Sequence, residues 1–182
     1  MKKDMSYKTL ESHYLIKRPW LTARCDKVEL PNGTINDEYW VLEYPDWVNI
    51  IAITDDDRFL FVRQYRYALG KTVDEMVAGV CEKGEEPLQT AKRELMEETG
   101  YGGGEWHKLM SISANASTHT NLCHCFVAKG VSRMAEQHLD ATEDIEVELF
   151  SRDEVLSMLR RGEIWQSLMA APLWRYFAEE QK

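Results

Sequence analysis

Glu94, Glu97 and Glu98 are spaced so that a helix would carry all three carboxylates on one face, because residues three and four apart are neighbours at 3.6 residues per turn. Like charges at that spacing cost a helix roughly 0.2–0.5 kcal/mol per pair. An oxygen-rich acidic patch is what hard cations such as Mg²⁺ or Mn²⁺ bind. It is equally the composition of a solvated helix face, where Arg–Glu pairs contribute little. Gly79 and Gly84 precede the three acids and would let backbone carbonyls approach the same cations. Glu85 and Arg93 are placed to tie that glycine-containing stretch to the helix through a bidentate contact.

The pattern is longer than three acids. From Gly79 the chain reads Gly, five residues, Glu85, seven residues, Arg93-Glu94-Leu95, one residue, Glu97-Glu98, one residue, Gly100-Tyr101. Seven fixed residue types at these intervals coincide by chance on the order of 10⁻⁹ per starting position. The segment resembles the Nudix hydrolase signature, departing from it only in Tyr101, an aromatic residue where an aliphatic one is usual. The resemblance implies hydrolysis of a nucleoside diphosphate linked to another moiety, with Mg²⁺ or Mn²⁺ as cofactor. It also implies that Glu94, Glu97 and Glu98 hold the metal with the carbonyl of Ala78, and that Arg93 and Glu85 orient them. Glu97 and Glu98 are thereby catalytic candidates as well. Clustered cations would neutralise a pyrophosphate and activate water, so no covalent protein nucleophile is required.

Several features are similar to the ADP-ribose and nucleotide-sugar pyrophosphatase branch. A β-rich segment precedes the acidic box, Gln64-Tyr65-Arg66 ends a strand shortly before it, and an acidic loop from Asp140 to Asp144 follows. In that branch a glutamate of the late loop serves as general base or further metal ligand. Glu143 matches best, with Asp140, Asp144 and Glu146 as alternatives. Arg66 is a candidate for the terminal phosphate or ribose, and equally an ordinary surface arginine. Trp40 and Trp47, with Trp20, are candidates for stacking on a nucleobase or for packing in a core or dimer contact. The branch often exchanges N-terminal segments between subunits, which implies a homodimer. One departure bears on substrate: Ser113–Asn121 contains no proline, although ADP-ribose enzymes commonly carry one in that stretch.

These residues need a scaffold. Pro31-Asn32-Gly33 between β-prone runs predicts a hairpin over 20–44, and 46–54 with 58–67 predicts a second around Asp55-Asp56-Asp57. A loop is expected over 78–86, followed by a helix opening at Pro87 and stopping at Gly100, with Leu88, Ala91 and Leu95 as its apolar stripe. Further strands are expected at 108–113, 122–128 and 145–150. Ser151 and Glu154 form a capping box for a helix to about Arg161. Residues 164–179 read as helical, with Trp165, Leu168, Trp174 and Phe177 on an apolar face and Pro172 as a kink or division. The first ten residues are polar and expected to be loose. The element order suggests an α/β (α+β) layered domain over residues 47–182 behind an antiparallel β appendage over 1–46, and the resemblance implies that the layered domain is a Nudix-type α/β/α sandwich on a mixed sheet.

Composition closes other routes. With 182 residues and a net charge of −9, a single main domain is expected and a broad nucleic-acid footprint is not. No apolar run approaches the ~20 residues of a membrane span, and no secretory signal follows the basic N-terminus. Four cysteines fit reduced thiols in a cytoplasmic protein better than a disulfide framework. Cys123 and Cys125 should share one side of a strand with His124 on the other, which speaks against zinc. Two readings compete with the pyrophosphatase. One is a non-catalytic module that senses a sugar nucleotide; the other is a hydrolase that clears nucleoside triphosphates.

Overall fold

The structure is a computed structural model and describes residues 3–180. It divides into two compact units: the chain up to Tyr44 together with Ser113–Asn121, and Pro45–Ile112 together with Leu122 onward.

The first unit is an antiparallel sheet of β1 (Lys8–Arg18), β2 (Leu21–Glu29) and β3 (Ile35–Glu43), in that order. The β2–β3 hairpin turns where the sequence predicts, with Gly33 at φ +83° and its N–H on the Leu30 carbonyl. β1 starts at Lys8, inside the stretch expected to be loose, and every one of its residues is exposed. Val28 and Val41 are buried together with Asp26. The segment 113–121 lies along β3: Leu42 donates to the Thr118 carbonyl at 2.8 Å and accepts from the Thr120 N–H at 3.1 Å. Sequence reasoning left this segment in the second domain.

The second unit is built on a mixed sheet ordered β10-β5-β4-β9-β8, with β6 added to β5 and β7 to β4. Its strands are β4 (Trp47–Thr54), β5 (Phe59–Arg66), β6 (Lys71–Glu75), β7 (Val77–Val80), β8 (Tyr101–Ile112), β9 (Cys123–Arg133) and β10 (Ile145–Phe150). Only the β4–β9 pair is parallel. Both faces are covered, which is why β4 and β5 read as almost continuous apolar runs. Val48, Ile50 and Ala52 pack with Ala91 and Leu95 of α1 (Pro87–Thr99). Ile51 and Ile53 face the other way, onto Val155 of α2 (Arg152–Arg161) and Met169, Leu173 and Phe177 of α3 (Ser167–Glu179). The result is the expected α/β/α sandwich.

Helix boundaries follow local chemistry. Pro87 opens α1, and Gly100, at φ +73°, closes it with its N–H on the Met96 carbonyl. The Ser151–Glu154 capping box is formed at the start of α2. Pro172 neither divides nor starts α3; it lies inside it. Its missing N–H frees the Leu168 carbonyl one turn back, and Asn49 Nδ2 from β4 donates to that carbonyl at 2.8 Å. Three expectations are corrected. The stretch 78–86 begins as strand β7, so only 81–86 is loop. Both β8 and β9 run longer than expected, β8 through three consecutive glycines. Trp165 and Trp174 are exposed, while Leu168 and Phe177 are buried.

Candidate active site

β7 runs antiparallel to β4, with Ala78 opposite Asn49 and Gly79 opposite Val48, and so lies on the sheet beneath α1. A Cβ on Gly79 would overlap the Glu94 side chain, so the helix can approach the strand here only over glycine. Thr90, Ala91 and Leu95 anchor the buried side of α1, and its acids project beside that contact.

Arg93 organises the cluster. Its guanidinium grips Glu85 in a fork, Nε to Oε1 at 3.1 Å and Nη2 to Oε2 at 3.0 Å. Nη1 donates at 2.9 Å to both Glu94 Oε1 and Glu97 Oε2, and Nη2 reaches the Val80 carbonyl at 3.3 Å. The expected loop-to-helix tie is therefore formed. The Arg93 hydrogen bonds hold Glu85 down to about 2, with Thr90 Oγ1 adding a bond at 2.8 Å. Its three carboxylate partners in turn hold the Arg93 charge firmly in place.

Glu98 has a different environment. It is 7% exposed, and its Oε2 has no hydrogen-bond partner. Burial pushes its carboxyl up to about 8, the charges of Glu94 and Glu143 add to the shift, and the Ala78 backbone and Arg66 oppose it. Glu94 is also raised, chiefly by burial. Glu94 and Glu98 thus both feel the charge of Glu143, while Arg93 holds one oxygen of Glu94 and one of Glu97.

Arg66 is held rather than loose. Its Nε and Nη2 donate at 2.8 and 2.7 Å to Oε2 of Glu75, which also accepts from Gln64 at 3.3 Å. Glu75 is 4% exposed and was not singled out from the sequence; an acid ending the short run Lys71–Glu75 carries no distinctive spacing. Glu143 is exposed, and its Oε2 accepts the Asp140 N–H at 2.9 Å. Trp47 begins β4 half-buried in the second unit. Trp40, on β3 of the first unit, is 48% exposed. The first unit also holds a pocket of about 400 Å³ whose lining includes Arg24, Asp26, Val41 and Thr118. In it the buried Asp26 pairs with Arg24 at 2.6 Å and leaves Oδ1 without a partner.

The donor set on α1 suits a hard cation: it is all oxygen, and one buried carboxylate oxygen has no protein donor. Among the described residues, no three His, Cys, Asp or Glu side chains already converge as a finished metal site. Arg93 meanwhile occupies one oxygen each of Glu94 and Glu97. The cysteine strand behaves as expected. Cys123 and Cys125 are buried, and His124 instead bonds Asp46 at 2.8 Å and Ser111 at 2.9 Å. Burial, with Asp46 and Glu85 nearby, pushes the Cys81 thiol up, away from nucleophilic character. No helix among the described residues is long and apolar enough to cross a membrane.

Comparison with known proteins agrees with this geometry. A profile described as the NUDIX domain matches residues 43–171, and one described as the nucleoside diphosphate sugar hydrolase N-terminal domain matches residues 7–42. The chain is 34% identical over 168 residues to a methanol dehydrogenase activator of Bacillus methanolicus, covering 92% of this chain and 90% of that one. It is 31% identical over 169 residues to an ADP-ribose pyrophosphatase of Bacillus subtilis (strain 168), covering 92% and 91%. A crystal structure of an ADP compounds hydrolase superposes with a TM-score of 0.85 over 99% of this chain and 97% of that one; at 19% identity this shows the shared fold.

Proposed function

The chain belongs to the Nudix family, and from that premise we propose that it hydrolyses the pyrophosphate bond of a nucleoside diphosphate sugar of the ADP-ribose kind. The products are a nucleoside monophosphate and the phosphorylated remainder. The observation that carries this reading is Glu98: a buried carboxylate oxygen without a donor, within electrostatic reach of Glu94 and Glu143. Its burial is costly unless a cation completes it.

In this reading Glu94, Glu97 and Glu98, with the Ala78 carbonyl, would hold Mg²⁺ or Mn²⁺. A divalent ion there supplies charge neutralisation of the pyrophosphate and a more acidic water. Glu143 takes the proton of the attacking water once it leaves Asp140. Glu85 keeps Arg93 in register with the three helix acids. Arg66, fixed by Glu75, donates to a phosphate or ribose oxygen, and Trp47 supplies a stacking face for the base, with Trp40 a stacking candidate on the resemblance alone. The fully exposed β1, with Leu15, Ile16 and neighbouring Trp20 open to solvent, supports a homodimer formed through the N-terminal segment. In the same reading the partner is a small nucleotide substrate and the location is the cytoplasm, with neither nucleic acid nor a membrane as partner.

The relatives support the pyrophosphatase assignment, and one of them favours a second reading. The Bacillus methanolicus relative is named for activating a dehydrogenase, so the same pocket could act on behalf of a partner enzyme. A panel of nucleoside diphosphate sugars and nucleoside triphosphates, assayed for phosphate release with a coupled phosphatase in Mg²⁺ or Mn²⁺, tests the proposal. A higher kcat/KM for nucleotide sugars is expected. A preference for triphosphates, or tight binding without turnover, overturns it.

A further inference from the structure

Glu98 and Glu143 must keep a set separation for the reaction proposed above, yet they lie on different elements, α1 and the loop between β9 and β10. The backbone around α1's last turn joins them. The Gly100 carbonyl accepts the N–H groups of Met134 at 2.8 Å and Ala135 at 3.1 Å, and the Glu97 carbonyl accepts that of His138 at 2.8 Å. These are carbonyls a helix end leaves without internal partners. The Glu98 carbonyl is met differently, by a side chain: Gln137 Nε2 donates to it at 2.7 Å. The same nitrogen also donates to the Ile145 carbonyl at 3.2 Å, the first residue of β10. A primary amide has two N–H groups, so one side chain can serve both carbonyls. Ile145 in turn sits opposite Gln64 on β5, two positions before Arg66.

Gln137 therefore closes the foot of the loop 138–144. One end of the loop is fixed to the helical turn that carries Glu98, and the other to the strand beside the Arg66–Glu75 pair. Inside the loop, Glu143 and Asp140 bond each other through the Glu143 side chain and both backbones. We propose that Gln137 is a positioning residue for hydrolysis: it ties the backbone of Glu98 to the foot of the loop carrying Glu143, and so sets the reach of Glu143 to the attacking water. This rests on the assignment of Glu143 as the base.

Gln137→Met keeps the length and removes both donors; Gln137→Glu turns lone pairs toward both carbonyls. In the full-length protein with Mg²⁺, both variants should lower kcat about 10- to 100-fold while KM stays within about threefold. Their thermal midpoints should stay within a few degrees of the parent. A double-mutant cycle separates positioning from general damage: in the Glu143→Gln background, Gln137→Met should change kcat less than about twofold. Equal losses in both backgrounds, or no loss in the parent, overturn the proposal. Hydrogen exchange provides an arm independent of activity. Amides of 138–144 should exchange at least about tenfold faster in Gln137→Met than in the parent. Unchanged exchange removes Gln137 as the tie even if the parent hydrolyses none of the nucleotides tested, a result that would instead sink the proposed function.

Discussion

Replacing Glu98 by Gln should stabilise the metal-free protein, and only at neutral to alkaline pH. The folded protein holds the Glu98 proton up to about 8, against an ordinary value of 4.5. Below 4.5 the carboxyl is protonated in both folded and unfolded chains, and burying it carries no charge penalty. Between 4.5 and 8 the unfolded chain gives up the proton and the folded one does not, so stability falls as pH rises; above 8 the loss is constant. At 1.36 kcal/mol per pKa unit the penalty reaches ~3 kcal/mol at pH 7 and ~5 kcal/mol well above 8, as upper limits that water entry would reduce. For a chain of this size ~2–3 kcal/mol is about 4–12 °C in the melting midpoint. Thermal melts in EDTA at pH 5, 7 and 8.5 should show the variant level with the parent at pH 5 and several degrees above it at pH 8.5. Adding Mg²⁺ or Mn²⁺ should reverse the order, since ligand binding stabilises only the protein that can bind it. A variant no more stable than the parent at pH 8.5 in chelator, or an offset that does not vary with pH, would refute the reasoning.

Glu85 gives the opposite pH trend. Held down to about 2 by Arg93, it contributes stability that is fully present above 4.5 and is lost as pH falls through about 2. The parent should exceed Glu85→Gln by ~2–3 kcal/mol at pH 6 in urea melts and converge with it near pH 2; a gap that persists in acid would contradict this. Gly79→Ala places a methyl group where the Glu94 side chain lies, and should cost ~1–3 kcal/mol while weakening Mn²⁺ binding in calorimetry. Unaltered Mn²⁺ affinity would show that Glu94 can move without consequence. Asn49→Leu leaves the Leu168 carbonyl unpaired and should cost ~1–3 kcal/mol, most of which Pro172→Ala recovers by restoring the helix N–H. Denaturant melts showing strictly additive effects would argue against that coupling.

How much of this was legible in the sequence differs by residue. Pro87, Gly100, Ser151 and Glu154 act on their own turns, so the boundaries of α1 and the start of α2 could be read directly. The seven-residue box could be read because its intervals are fixed by helix and loop geometry. The same intervals are silent on rotamers: they make Glu97 a neighbour of both Glu94 and Arg93, and only packing turns it to Arg93. β6 and β7 are too short and too mixed in composition to show a period, and β8 runs through glycines that propensity would place in a loop. Glu75, Gln137 and Asn49 act through partners on other elements. Glu75 reaches Arg66, and Gln137 and Asn49 reach backbone carbonyls, which no local pattern announces. Trp165 lies in the coil before α3, and Trp174, six residues past the buried Leu168, falls on the opposite side of that helix from its buried face; the spacing of the aromatic residues alone did not show this.

The turn-rich segment 113–121 covers the β3 edge at Leu42 from far along the chain. During synthesis β3 leaves the ribosome with a bare edge at Leu42, and the residues that occupy it arrive only after the acidic helix has been made. An unpaired edge recruits whatever strand is at hand. A gene fragment ending before Ser113 would therefore carry that open edge permanently. Such a truncation should self-associate, and the leading sheet cannot be transplanted into another protein as a cassette from its first forty-odd residues alone.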